Sequence, residues 1–87
     1  MKLSIISPER IVFEGDVDRV VVPAFDGEVG ILAQHAPLVT LLGRGTVRVG
    51  GGTGADTIFA VQGGFVQVAD DVVRVVTESA SGTQATA

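Results

Sequence analysis

Several residues in this 87-residue chain are of types that can do chemistry. His35 is the single histidine, set in Ala33-Gln34-His35-Ala36-Pro37. A metal centre would need carboxylates at ligand spacing around it, and none stands near it in the sequence. Its irregular, proline-bounded setting reads instead as a structural or interface role. Ser4, Ser7, Ser79 and Ser81 sit towards the chain ends. A nucleophile needs a base and an orienting group, and none of these serines is placed for a triad with His35. Asp16 and Asp18 stand two apart, which on one strand puts both on one face; Asp70 and Asp71 are adjacent. A retaining glycosidase holds its two carboxyls ~5 Å apart, but it also needs a groove lined with aromatics. The chain has four Phe and no Trp or Tyr. The acidic pairs therefore read as solvated strand edges, whose charge discourages edge-to-edge aggregation. Gly50-Gly51-Gly52-Thr53-Gly54 lacks the lysine and the following helix that a phosphate loop requires. No catalytic, cofactor-binding or metal-binding residue is expected.

The elements that hold these residues follow from composition. Sixteen Val, five Ile and seven Thr stand against five Leu and one Met. β-Branched side chains fit a pleated surface and lose rotamer freedom in helices. Twelve Gly fall largely between the Val-rich runs. The pattern predicts strands over Leu3–Ile6, Arg10–Gly15, Asp16–Pro23, Glu28–Leu32, Leu38–Leu42, Arg44–Val49, Asp56–Val61, Phe65–Ala69 and Val72–Glu78. Phe25-Asp26-Gly27 is a turn, Gly50–Gly54 a hairpin tip, Gly63-Gly64 a bulge or corner, and Asp70-Asp71 a two-residue hairpin loop. About nine short strands with regular turn signals indicate an antiparallel sandwich or barrel. Phe65 reads as a core residue, whose truncation to Ala would cost about 3–5 kcal/mol. Ser79–Ala87 carry no periodicity, so one domain is drawn over residues 1–80 with a disordered polar tail over 81–87.

Charge and length exclude more. Ten acidic against six basic residues give a net charge of −4. Lys2, Arg10, Arg19, Arg44, Arg48 and Arg74 are scattered singly, so a polyanion or an anionic membrane surface is a poor partner. No apolar run approaches the ~20 residues of a bilayer-spanning helix. With no cysteine, disulfide frameworks and thiolate zinc sites are excluded. What remains is Asp26–Leu38, a specific segment on a small rigid scaffold, where such domains carry binding surfaces. The residues alone describe a β adaptor that binds another protein.

Gly27-Glu28-Val29-Gly30-Ile31-Leu32 leading into His35-Ala36-Pro37-Leu38 resembles the epsilon subunit of rotary F-type ATP synthases. Leu3-Ser4-Ile5-Ile6-Ser7-Pro8-Glu9 looks like that family's opening strand and turn. Val12-Phe13-Glu14-Gly15 with Val17-Asp18 looks like its second segment. Phe59-Ala60-Val61-Gln62-Gly63-Gly64-Phe65-Val66-Gln67-Val68 resembles its late hairpin, closed by Val72–Ala80. The resemblance covers about residues 3–80 in order. It implies an all-β flattened antiparallel sandwich of two about five-stranded sheets, and a non-catalytic central-stalk subunit without a cofactor. Such a subunit clamps gamma to the c-ring and couples proton flow to ATP synthesis. Its partners would be the gamma subunit and the c-ring, peripheral to the cytoplasmic face of the bacterial inner membrane. By the same resemblance, Glu28, flanked by Gly27 and Val29, would meet the ring, and His35 and Thr40 would face gamma.

The chain departs from the family pattern in places. Ala24 stands where the family has glycine, and Ala33 replaces a proline ahead of His35, which should loosen that loop. Most bacterial relatives continue as a two-helix hairpin that can inhibit ATP hydrolysis. Thr83-Gln84-Ala85-Thr86-Ala87 reads as a natural ending, and the expectation is a subunit without that hairpin. The competing reading is a free-standing β-sandwich adaptor unrelated to the synthase; a small hydrolase built on Asp16, Asp18 or His35 is remote.

Overall fold

Val-rich runs broken by turn residues make most of the ten strands in a computed structural model that describes residues 1–50 and 57–84. In chain order they are β1 (Lys2–Ile6), β2 (Ile11–Asp16), β3 (Arg19–Ala24), β4 (Gly27–Leu32), β5 (Leu38–Leu41), β6 (Arg44–Gly50), β7 (Thr57–Gln62), β8 (Phe65–Ala69), β9 (Val72–Val76) and β10 (Ser79–Gln84). The first sheet has the order β2-β1-β9-β8-β5 and the second β10-β7-β6-β3-β4. β1 and β9 run parallel, and the other pairings are antiparallel. The expected sandwich of two five-stranded sheets is what forms. Leu3, Ile5, Val66, Val68, Val73 and Val75 of the first sheet are buried in one core with Val20, Val22, Ile31, Val47, Val49, Phe59 and Val61 of the second. Phe13 meets Phe59 edge to face, with ring centroids 5.6 Å apart.

Three expectations change. The strand drawn over Asp16–Pro23 is two pieces: Asp16 ends β2, and β3 starts at Arg19. Val17 N–H bonds Met1 O at 2.8 Å beside the first sheet, and Asp18 N–H bonds Gly50 O at 2.9 Å beside the second. The chain therefore changes sheets between them, and Asp16 and Asp18 are not a same-face pair. Second, the polar tail begins too early. Ser79–Gln84 is β10, paired with β7 from Ser79 opposite Gln62 to Gln84 opposite Thr57, so the boundary after residue 80 cuts a strand. Small polar residues carry no apolar alternation, yet their backbone groups complete the ladder of β7. Ala80 adds a methyl to the core. Third, Phe65 is 38% exposed and lies outside the core, because Val66 and Val68 take the inward positions of β8. The glycine-rich hairpin tip at 51–54, Asp56 and residues 85–87 lie outside the described residues.

Turn chemistry fixes the register. Asp70 and Asp71 take φ of 53° and 61°, the doubly positive backbone of a two-residue hairpin loop. Gly64, at φ 102°, lies so close to β9 that a Cβ there would fall 2.7 Å from Thr77 Cα and nearer still to Val76 O. Thr77 is 2% exposed, and its hydroxyl lies 3.2 Å from Gln62 O, 2.9 Å from Gly63 O and 3.0 Å from Ser79 O. One hydroxyl thus joins two sheet-to-sheet passages, β7 to β8 and β9 to β10.

Candidate functional site

The residues singled out by sequence lie along one margin of the sandwich. β4 is the outer strand of the second sheet and β5 the outer strand of the first. Residues 33–37 carry the chain from one to the other. Gly27 opens β4 at φ 137°, a backbone that suits glycine, with nothing within 4 Å of where a Cβ would stand. Along β4, Val29 and Ile31 turn inward, so Glu28, Gly30 and Leu32 face out. Of the trio Gly27, Glu28 and Val29, Glu28 alone therefore offers a charged side chain. Its Oε1 lies 3.9 Å from Arg48 Nη2, with both side chains about half exposed. In such an exposed pair the carboxylate keeps the capacity to accept from another cation. Ala24 pairs with Gly27 and is not among the residues at positive φ. It therefore fits the turn that the family pattern builds with glycine.

His35 and Thr40 occupy other parts of this margin. His35 is half-buried in the 33–37 passage. Its N–H bonds Leu32 O at 3.1 Å. Its Nδ1 lies 2.7 Å from Ala36 O, a contact that calls for a proton on Nδ1 and leaves Nε2 as the acceptor of the neutral ring. Thr40 pairs with Val66, so it sits on the inward side of β5 and is half-buried. Ala33, the first residue of the passage, is five steps along the chain from Glu28 at the start of β4, about 16 Å of extended chain. Glu28 and His35 therefore mark opposite ends of the margin and form no common cluster.

Sequence reasoning missed an apolar surface feature. Leu41 pairs with Phe65, Phe65 with Val76, Val76 with Ile6 and Ile6 with Ile11. Paired residues share a face, so these five form an apolar band across the outward side of the whole first sheet. Leu41 is 62% exposed and Ile11 59%, and Val39, one row over, is 69% exposed. Phe25, exposed on the β3–β4 turn, donates its N–H to Leu41 O at 3.0 Å, bringing the Glu28 end of β4 against the end of the band. The readable signal is the doublets Ile5-Ile6, Leu41-Leu42 and Val75-Val76. On a strand, adjacent apolar residues must face opposite sides, so one of each pair points out.

Residues 1–83 match the family described as ATP synthase, Delta/Epsilon chain, beta-sandwich domain. The chain is 44% identical over 78 residues to the ATP synthase epsilon chain of Leptospira borgpetersenii serovar Hardjo-bovis, covering 90% of this chain but 61% of that protein. It thus spans about three-fifths of that relative. To the ATP synthase epsilon chain of Caulobacter vibrioides it is 39% identical over 80 residues, covering 92% of both. Among solved structures, a chain of the Euglena gracilis mitochondrial ATP synthase, in its OSCP/F1/c-ring assembly, superposes with a TM-score of 0.85 at 27% identity, over 92% of this chain and 51% of that one. Fold, strand order along the sequence and family match agree: the chain belongs to the family of ATP synthase delta/epsilon-chain β-sandwich domains.

Proposed function

We propose that this domain is a non-catalytic rotor subunit of a proton-translocating ATP synthase, held between the gamma subunit and the c-ring at the cytoplasmic face of a bacterial inner membrane. The observation that carries this reading is the apolar band running into the Glu28 turn. Small domains rarely leave a row of Leu, Phe, Val and Ile side chains exposed at its ends and only half-buried at its middle unless a partner covers it. Gamma covers the band and the β5 margin with His35 and Thr40, and the polar loops of the ring meet the turn carrying Gly27, Glu28 and the Val29 backbone. A carboxylate at a partly wet rim sets register and encounter rate more than affinity. The domain does no bond chemistry in this role. It transmits torque, which requires a body that does not shear, and the corner stapled by Thr77 supplies that stiffness.

Titration calorimetry with the cognate gamma subunit tests the reading. One-to-one binding, abolished by polar substitution of Leu41 and Phe65, is the expected result. A folded chain that does not bind gamma would return the domain to the free-standing adaptor class.

A further inference from the structure

We infer that Asp71 is the positioning residue of the 33–37 passage, acting from a different hairpin. Gln34 has φ 64°, a left-handed backbone that a non-glycine residue holds when something outside it fixes the local geometry. That fixture is 37 residues away in sequence: Asp71 Oδ1 accepts the Gln34 N–H at 2.8 Å. Asp71 is itself anchored. Its carbonyl accepts the Lys2 N–H at 3.1 Å, its Oδ2 lies 3.6 Å from the Met1 ammonium, and its own φ of 61° belongs to the β8–β9 loop. The passage's local bonds, His35 N–H to Leu32 O at 3.1 Å and His35 Nδ1 to Ala36 O at 2.7 Å, shape the turn without fixing where it sits against the first sheet. Ala33 stands just ahead without a proline ring to stiffen the chain. The carboxylate of Asp71 therefore fixes where His35 is presented. Its bearing on gamma rests on the function proposed above; its bearing on the passage does not.

The hairpin loop allows a clean test. Asp71→Gly removes the carboxylate but creates the Asp-Gly pair that two-residue hairpins favour, so the fold is retained. Asp71→Asn keeps an oxygen that can accept the Gln34 N–H and discards the charge facing Met1. Amide hydrogen exchange by NMR on the free chain is the first readout. In Asp71→Gly the Gln34 amide should exchange about tenfold faster or more, while Val73 and Val75 amides stay protected. Asp71→Asn should restore the Gln34 protection. Calorimetry with gamma is the second readout: Asp71→Gly should bind about tenfold more weakly through lost preorganisation, and Asp71→Asn close to the parent chain. Unchanged Gln34 exchange in Asp71→Gly would overturn the inference, as would its failure to be rescued by Asp71→Asn. If the parent chain does not bind gamma, the rotor reading fails, and the exchange data alone still decide the role of Asp71.

Discussion

The Gly63-Gly64 corner and the 33–37 passage both carry the chain from the second sheet to the first, and they do so by opposite means. The corner takes two residues, both at positive φ, and is stitched by a buried hydroxyl shared among three carbonyls. The passage takes five largely exposed residues and is held by a carboxylate belonging to another hairpin. The corner is tightly constrained and offers little side chain of its own. The passage keeps its backbone accessible and borrows its order from outside. A small sandwich can thus be rigid and still present a margin for docking, because its two kinds of crossing divide the work.

The sharpest way to break the contrast is at Gly64. Gly64→Ala places a methyl against Val76 O and Thr77 Cα, backbone atoms that cannot step aside, at a φ of 102° that L-residues avoid. The expected cost is more than about 4 kcal/mol, most of the stability of a domain this size. Chemical denaturation followed by far-ultraviolet circular dichroism should show little or no cooperative transition; a parent-like midpoint would mean the corner has slack.

Thr77→Val tests the same corner more gently. The isosteric side chain keeps the volume and removes the hydroxyl, leaving the carbonyls of Gln62, Gly63 and Ser79 without that donor. A loss of about 1–3 kcal/mol is expected in the same denaturation measurement, the range for a buried acceptor left unpaired.

Phe65→Ala moves from corner to docking face, though only one residue beyond Gly64. With Phe65 38% exposed, the truncation should cost about 1–2 kcal/mol of stability, less than the value for a core phenylalanine. Its larger effect should be on partner binding, with gamma affinity falling about tenfold or more, as for an aromatic anchor in an interface. A stability loss equal to a core deletion, with binding intact, would return Phe65 to the core.

How much of this was legible in the sequence differs between the two regions for a physical reason. The Val-rich alternation placed nine of the ten strands to within a residue or two at most ends, since burial of one face is written in side-chain type. Gly63-Gly64 and Asp70-Asp71 were readable as turns because positive φ restricts residue choice. β10 was not, because an edge strand of Ser, Ala, Gly and Thr is held by backbone bonds that leave no mark on side-chain periodicity. Asp16 and Asp18 were misread as one strand because the sheet change between them depends on what Met1 and Gly50 offer from afar. The motif around Glu28 and His35 was visible as a family resemblance. The partnership of Gln34 with Asp71 and the five-strand apolar band were not, since both exist only once distant strands are in register.

Glu28→Lys gives the smallest effect on the fold and the most specific one on function. The carboxylate is exposed and its contact with Arg48 is 3.9 Å, so its loss should change stability by about 0–1 kcal/mol. Reversing the charge sets two cations side by side on the outward face of β4 and β6, where a basic loop of the ring would otherwise meet an acid. Glu28 borders the apolar band but is not part of it, and faces out from the second sheet, so gamma binding by calorimetry should change by no more than a few-fold. In membranes carrying the variant, ATP made per proton passed should fall, and more steeply as ionic strength is lowered, since screening then no longer masks the repulsion. Intact coupling at low salt would remove Glu28 from the ring-facing surface while leaving the gamma-facing band untouched, separating the two halves of the proposed docking margin.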